Sequence, residues 1–533
     1  MKRFALLCSW IAFGMVGCDV APQFVAQTES QTETIVKPAP ATAPAASGEG
    51  DPDAGRATIS STESDLDAET TGASARAATK SVKNPVRTDW PIFLGLHGTG
   101  ISDETGLLDE WPAEGPALLW EKRIGTGYSA PSIRGEKLVV HHRPRDKDIV
   151  ECVRADDGTP IWKYEYETDY ADPYQYNNGP RCSPLLTENR CYTFGPQGRL
   201  VCLNLENGER IWDRDTAADW KIPMHFFGAG CTPILEGNLL IVLVGGQPNS
   251  GVVAFDPETG ETRWESVGKD TWDGVITDDP GNPPLAWTSR EMLVSYSSPI
   301  AVTIHEKRHV LCLMRQGLVS LDPKDGKVRF KYWFRAREHE SVNAARPVVI
   351  DDQIFLSAAY RTGMALLKVH PDGNGFDEVW RDKRGMSTHW STPIHENGCL
   401  YGFSGRHENE GMLQCVDLKT GEQVWQTAGF TGNPDDLGQD PRSGQIVNTK
   451  TGKVIPWPFY GRGSATLADG KYFILGERGT LALARLSRDG WKEISRTSFP
   501  KLKYPMWASP VIAHGRLYLR SEDWLVCLNV AQP

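Results

Sequence analysis

A strand, a tight turn closed by glycine, and a tryptophan four residues later recur along this chain. The fullest copy is Gly251-Val-Val-Ala-Phe-Asp-Pro-Glu-Thr-Gly-Glu-Thr-Arg-Trp264. Cys202-Leu-Asn-Leu-Glu-Asn-Gly208 to Trp212 and Cys415-Val-Asp-Leu-Lys-Thr-Gly421 to Trp425 repeat it, and Cys152 to Trp162 and Ser320 to Phe330 are looser copies. A unit returning at roughly 45–70 residues buries its apolar face on the next copy, in a stack or a closed circle.

Each unit opens with a small residue, any residue and proline, as in Cys182-Ser-Pro184, Cys231-Thr-Pro233 and Ser391-Thr-Pro393. A polar turn and a β-rich strand such as Leu239-Leu-Ile-Val242 follow, and then the strand, glycine turn and tryptophan. That makes four short strands per unit, the pattern of a β-propeller blade. The markers Pro131, Pro184, Pro233, Pro299, Pro347, Pro393, Ala465 and Pro510 predict eight blades. The last unit stops soon after Leu525-Val-Cys-Leu-Asn529, without an outer strand, while the strand around Trp120 precedes the first marker. Pairing these two closes the ring and removes its free edges. The expected fold is therefore all-β, an eight-bladed propeller of four-stranded antiparallel blades over residues 89–533, closed by the strand near Trp120.

In this arrangement Trp120, Trp162, Trp212, Trp264, Phe330 and Trp425 are expected to wedge between neighbouring blades, on the adjacent glycine turn. Cys152, Cys202, Cys415 and Cys527 share one register with Ala254 and Ser320; Cys182 and Cys231 share another with Ser129, Ser297 and Ser391. Both registers call for a small residue, and a free thiol serves as one. A Cys182–Cys231 disulfide between adjacent blades is left open for an oxidising compartment. The chain has no C-x-x-C, no vicinal cysteines and no His/Cys set at metal-ligand spacing.

The segment Ala254-x-Asp256-x-x-Thr259-Gly260-x-x-x-Trp264 resembles the tryptophan-docking motif of the pyrroloquinoline-quinone (PQQ) repeat superfamily. That superfamily includes eight-bladed quinoprotein alcohol dehydrogenases and BamB-type outer-membrane assembly lipoproteins. Trp90-Pro91-x-Phe93-x-Gly95 with Trp111-Pro112-x-x-Gly115-Pro116 resembles its PQQ-binding-like lipoprotein or secreted subfamilies. The resemblance covers residues 89–533 and implies the fold far more strongly than an activity, since many members bind no quinone.

At the N-terminus, Lys2 and Arg3 precede the apolar run Phe4–Val16, too short to span a bilayer and fitting a secretory signal over residues 1–17. Val16-Gly17-Cys18 resembles a lipobox, with Met15 where Leu is usual, which implies cleavage before Cys18 and its lipidation. Residues 18–88, rich in Ala, Thr, Ser, Glu, Pro and Gly, are expected to be a disordered tether. The expected location is the cell envelope, on the periplasmic side of the inner or outer membrane. A net charge of −11 weighs against sequence-independent nucleic-acid binding.

Function is expected where the repeat stops. The connections between each tryptophan and the next marker are aromatic and enter the innermost strands, at a propeller's funnel mouth. They carry Tyr170, Tyr174, Tyr176, Trp220, His225, Phe226, Phe227, Trp272, Asp273, Trp287, Tyr296, Arg335, Arg337, Glu338, His339, His389, Trp390, Trp457, Phe459, Tyr460, Tyr504 and Trp507. Three residues before each marker stand Tyr128, Arg181, Gly230, Tyr296, Ala344, Trp390, Arg462 and Trp507, which equivalent inner strands would bring to one ring. Such a mouth suits a planar ligand, a sugar or a peptide. Two readings follow. The first is a membrane-anchored, non-catalytic binding or scaffold propeller, monomeric and without a cofactor, whose partners are envelope proteins or peptides, as in BamB-like outer-membrane protein assembly. The second is a PQQ- and Ca²⁺-dependent oxidoreductase acting on alcohols or sugars. The resemblance implies a tryptophan floor, Ca²⁺ ligands from Glu, Asn and Asp, and a catalytic Asp for that chemistry. Trp272, Asp273 and Trp390 are candidates by residue type only. His389 beside Trp390 is the histidine to follow.

Overall fold

The computed structural model describes residues 84–222, 227–279, 282–287, 295–338, 341–443 and 445–533. The signal segment, Cys18, most of the expected tether, His225, Phe226 and His339 lie outside the described residues. Eight four-stranded antiparallel blades follow one another in chain order. Their first strands are Ser132–Arg134, Leu185–Leu186, Ile234–Glu236, Ile300–Ile304, Val348–Ile350, Ile394–Glu396, Ser464–Ala468 and Val511–Ala513, which number the blades 1 to 8. Seven begin on the residue after a marker proline, because proline has no N–H to give to a ladder and sits just outside it. Blade 7, whose marker is Ala465, begins on the residue before it, Ser464.

The ring closes as its ends require. Ala117–Arg123 pairs antiparallel with Trp524–Asn529, with Trp120 opposite Cys527. The docking aromatics then fall into one register. Trp120, Trp162, Trp212, Trp264, Phe330 and Trp425 stand opposite Cys527, Cys152, Cys202, Ala254, Ser320 and Cys415. A small residue there leaves room for the ring to lean onto the next blade. Each indole donates its N–H to a carbonyl of that blade: Trp120 to Ala155 (3.0 Å), Trp162 to Leu205 (2.8 Å), Trp212 to Pro257 (2.9 Å), Trp264 to Pro323 (3.0 Å) and Trp425 to Ser487 (2.8 Å). At four of these five, Trp120, Trp162, Trp212 and Trp264, the turn glycine lies against the ring. At Gly208, with φ of +73°, a Cβ would fall 2.6 Å from Trp162. Phe330 has no N–H and packs edge-on against Phe376 at 5.4 Å.

Two junctions depart from the repeated phrase. Between blades 5 and 6 the wedge is Trp380, donating to the Leu418 carbonyl at 3.0 Å, with its ring on Gly421. Blade 7 presents Ser495 at the docking register, opposite Leu483. Trp111 arrives from the N-terminal segment instead: its backbone N–H bonds Ser495 Oγ at 2.9 Å and its ring lies 6.1 Å from Phe473. It belongs to an apolar cluster drawn from blades 7 and 8. The nine described cysteines are buried free thiols, Cys182 and Cys231 among them.

The residues before blade 1 form a strap across the inner edges of the blades. Trp90 bridges Ile133 of blade 1, and the Pro91 carbonyl accepts from Leu186 N of blade 2. Gly98 O accepts from Arg346 at 2.8 Å, just before blade 5. Gly100 faces Ile394 of blade 6, and Ile101–Ser102 pairs in parallel with Leu467–Ala468 of blade 7. Glu104, fully buried, accepts the backbone N–H groups of His514 and Gly515 in blade 8. The strap thus crosses the channel at the end that carries the first-to-second-strand turns. Its hydrogen bonds begin at Val86–Thr88, slightly earlier than the expected boundary at residue 89.

Candidate functional site

The opposite end of the channel is the mouth, built from the connections into each first strand and from the second-to-third-strand turns. Trp507 lies at its centre. Its ring is 4.7 Å from Tyr128, 4.7 Å from Trp390, 5.6 Å from Tyr176 and 6.0 Å from Tyr504, centroid to centroid. Tyr176 continues to Phe227 at 5.7 Å, and Phe227 to Tyr296 at 5.6 Å. Gly230 is required beside Tyr296, since a Cβ there would lie 2.9 Å from its ring. One aromatic layer therefore joins Tyr128, Tyr296, Trp390 and Trp507, four of the residues expected at the mouth.

Arginines stand over this layer. Arg462 stands 4.6 Å above Trp390 and 5.7 Å from Trp507, and Arg181 stands 5.7 Å from Tyr128. Each has a carboxylate partner. Arg462 pairs with Glu477 at 2.5 Å, and Arg181 with Asp172 at 2.9 Å. Glu477 is buried and also accepts from Trp507 Nε1 at 2.7 Å. Such charge-assisted bonds fix both ring and guanidinium. Two further pairs complete the rim: Arg406 over Tyr360 at 4.5 Å with Glu338, and Arg478 over Tyr504 at 5.1 Å with Glu408.

His389 sits beneath the rim. Its ring is 4.8 Å from Trp390, Nδ1 accepts from Arg462 at 3.5 Å, and Nε2 is 3.1 Å from the Tyr360 hydroxyl. Burial, then Arg462 and Arg406, push its pKa down to about 3. It is a neutral imidazole at physiological pH, with its proton on Nε2 facing Tyr360. Burial likewise raises Tyr360 to about 12.

Trp272 and Asp273 are not in this layer. Trp272 is buried in the core of blades 2 to 4, edge-on to Trp333 at 5.8 Å, and Asp273 is exposed. Trp287 packs on Trp333 at 5.2 Å beneath Arg335, and Trp220 on Phe255 at 5.7 Å. The connection aromatics thus divide between the mouth and small cores of the loops. The mouth residues missed in the sequence, Tyr360, Arg406, Glu408, Glu477 and Arg478, come from second-to-third-strand turns. Their signal is a run such as Gly476-Glu-Arg-Gly479, charged residues interrupting two apolar strands. Among the described residues no group of three or more His, Cys, Asp or Glu is placed to hold a metal ion.

A family model described as outer membrane protein assembly factor BamB matches residues 99–222 and 146–427. The quinohemoprotein alcohol dehydrogenase of Comamonas testosteroni is 21% identical over 325 residues, covering 53% of this chain and 44% of that enzyme. The BamB of Alteromonas naphthalenivorans is 32% identical over 96 residues, covering 16% of this chain and 22% of that protein. The chain thus spans less than half the length of these relatives. The crystal structure of the Comamonas testosteroni enzyme superposes with a TM-score of 0.53 at 13% identity, covering 84% of this chain and 81% of that one, which is a likeness of fold.

Proposed function

The chain belongs to the PQQ-like β-propeller family whose model is described as outer membrane protein assembly factor BamB, and from that premise we propose that it is a non-catalytic binding propeller of the cell envelope. We further propose that it is held to a membrane through Cys18, with envelope proteins or peptides as its partners. One observation supports this reading: the aromatic and arginine side chains of the mouth are held in place before any ligand arrives. The rings pack on one another, and the arginines standing over them are held by carboxylates. Aromatic and arginine side chains fixed in this way are what contact surfaces use as anchors, because little freedom remains to be lost on binding.

The second reading, a quinoprotein oxidoreductase using PQQ and Ca²⁺, is favoured by the overlap with the Comamonas testosteroni enzyme. The mouth residues do not fit that group. A planar tricarboxylate lying on these rings would have to compete with Glu477 for Arg462. The carboxylates of the rim are already engaged by arginine rather than gathered for a cation.

Titration of the purified protein with PQQ plus Ca²⁺, followed by tryptophan fluorescence and by dye-linked oxidation of alcohols and sugars, tests the choice. Saturable binding with turnover would overturn the binding-propeller reading. In membranes, crosslinking from a photoreactive group at position 176 is expected to capture an envelope protein. Cys18→Ser is expected to release the chain into the soluble fraction.

A further inference from the structure

The charge pairing of the mouth says what kind of ligand it can hold. A carboxylate ligand would have to displace Asp172 or Glu477 from its arginine. A cationic ligand would meet guanidiniums standing over the rings. A neutral ligand rich in hydroxyls breaks no pair, and can hydrogen-bond the partly exposed Arg406–Glu338 and Arg478–Glu408 pairs of the rim. We propose that the mouth is a saccharide site, taking a neutral glycan chain whose sugar rings lie on Tyr176, Tyr504 and Trp507. This rests on the reading of the mouth as a binding surface.

The geometry meets both faces of a sugar. A pyranose presents a slightly positive C–H face, which prefers the negative face of an aromatic ring, and a rim of vicinal hydroxyls. Tyr176 is 53% and Tyr504 40% exposed, and both stand steeply to the partly exposed Trp507, at 63° and 80°, so the three offer separate ring surfaces to solvent, each for one sugar. At one border Arg478 stands 5.1 Å from Tyr504 and is bonded to Glu408 through both Nε and Nη2. Planar, paired groups of this kind bind adjacent hydroxyls two at a time. The strap across the base stops a chain from threading the ring, so a glycan lies across the mouth.

The test is titration of the full chain with three hexasaccharides: β-1,4-linked glucose, α-1,4-linked glucose and β-1,4-linked N-acetylglucosamine. At least one is expected to saturate below about 1 mM, with Kd changing less than about two-fold between roughly 50 and 500 mM NaCl, because a neutral ligand feels no screening. Tyr176→Ala and Tyr504→Ala, both at exposed rings, are each expected to weaken it about three- to ten-fold, one ring contact's worth. Val379→Ala, on an outer strand, is expected to change nothing. The proposal is overturned if no hexasaccharide binds at about 10 mM, if both tyrosine variants bind unchanged, or if only an acidic Glu/Phe decapeptide binds, with salt-sensitive affinity. Dye-linked turnover with PQQ and Ca²⁺ would sink the non-catalytic reading and leave the saccharide result standing. A captured protein partner without sugar binding would sink the saccharide site alone.

Discussion

Trp162 is the cleanest place to measure what holds two blades together. Its ring is 8% exposed, in a cluster with Val139, Val150 and Cys152 of its own blade and Leu186, Cys191, Val201, Leu203 and Leu205 of the next. Its N–H bonds the Leu205 carbonyl at 2.8 Å. Trp162→Ala removes the packing, at about 3–5 kcal/mol. It also orphans a buried carbonyl, which costs about 1–3 kcal/mol, although a water entering the void recovers part of this. The expected loss is about 4–6 kcal/mol. Trp162→Phe keeps most of the ring and loses the hydrogen bond, so about 1–3 kcal/mol is expected. Urea unfolding followed by far-UV circular dichroism reads the total; fluorescence would average 18 tryptophans. Hydrogen exchange at Gly208, whose N–H bonds the Asn204 carbonyl, reads the junction itself and should accelerate in both variants. The control is Val379→Ala, an exposed strand position expected to stay within about 0.5 kcal/mol of the parent. If Trp162→Ala falls within about 1 kcal/mol of that control, the indole is not the wedge described above.

Gly208→Ala should cost at least about 2 kcal/mol, since the new Cβ meets both a positive φ and the Trp162 ring; denaturation midpoints check it. Burial raises the Asp148 carboxyl to about 7, so its neutral form is the one the fold favours. The associated stability is present below the unfolded value near 4 and is lost as pH rises through about 7. Asp148→Asn should therefore gain on the parent between those limits, by up to about 4 kcal/mol, and parallel stability curves would refute the assignment. Glu477→Gln leaves the partly buried Arg462 without its counter-charge and should cost about 1.5–3 kcal/mol, with a change in near-ultraviolet circular dichroism as the carboxylate accepting from Trp507 becomes an amide.

The repeat made the fold legible because each of its residues answers a backbone demand. The marker prolines end a ladder, the glycines accept a positive φ against an indole, and the cysteines are small opposite a large ring. Where a blade meets the same demand differently, the pattern fails. Trp380 follows Gly373 by seven residues, because the turn after it is longer, so it escaped the four-residue spacing. Trp111 escaped because it lies more than 350 residues in sequence from Ser495 and closes a junction with no glycine turn. The mouth was half legible. Tyr128, Arg181, Tyr296, Trp390, Arg462 and Trp507 shared a register with the markers, and the structure brings them to one layer. The Arg462 partners Glu477 and Arg406, and the Arg478–Glu408 pair, sit in turns that obey no repeat, since these turns need only join two strands. Trp272 was a candidate by residue type alone, and a buried ring beside an exposed Asp is what the loop's own core required.

The strap has a mechanical consequence. Whatever pulls on the chain ahead of residue 84 does not pull on one blade. The load passes through the backbone hydrogen bonds to Ile133, Leu186 and Leu467, the Arg346 guanidinium and the Glu104 carboxylate, on five blades spaced around the ring. These contacts succeed one another along the strap, so a tug reaches the ring-closing strand Ala117–Arg123 only after they part in turn.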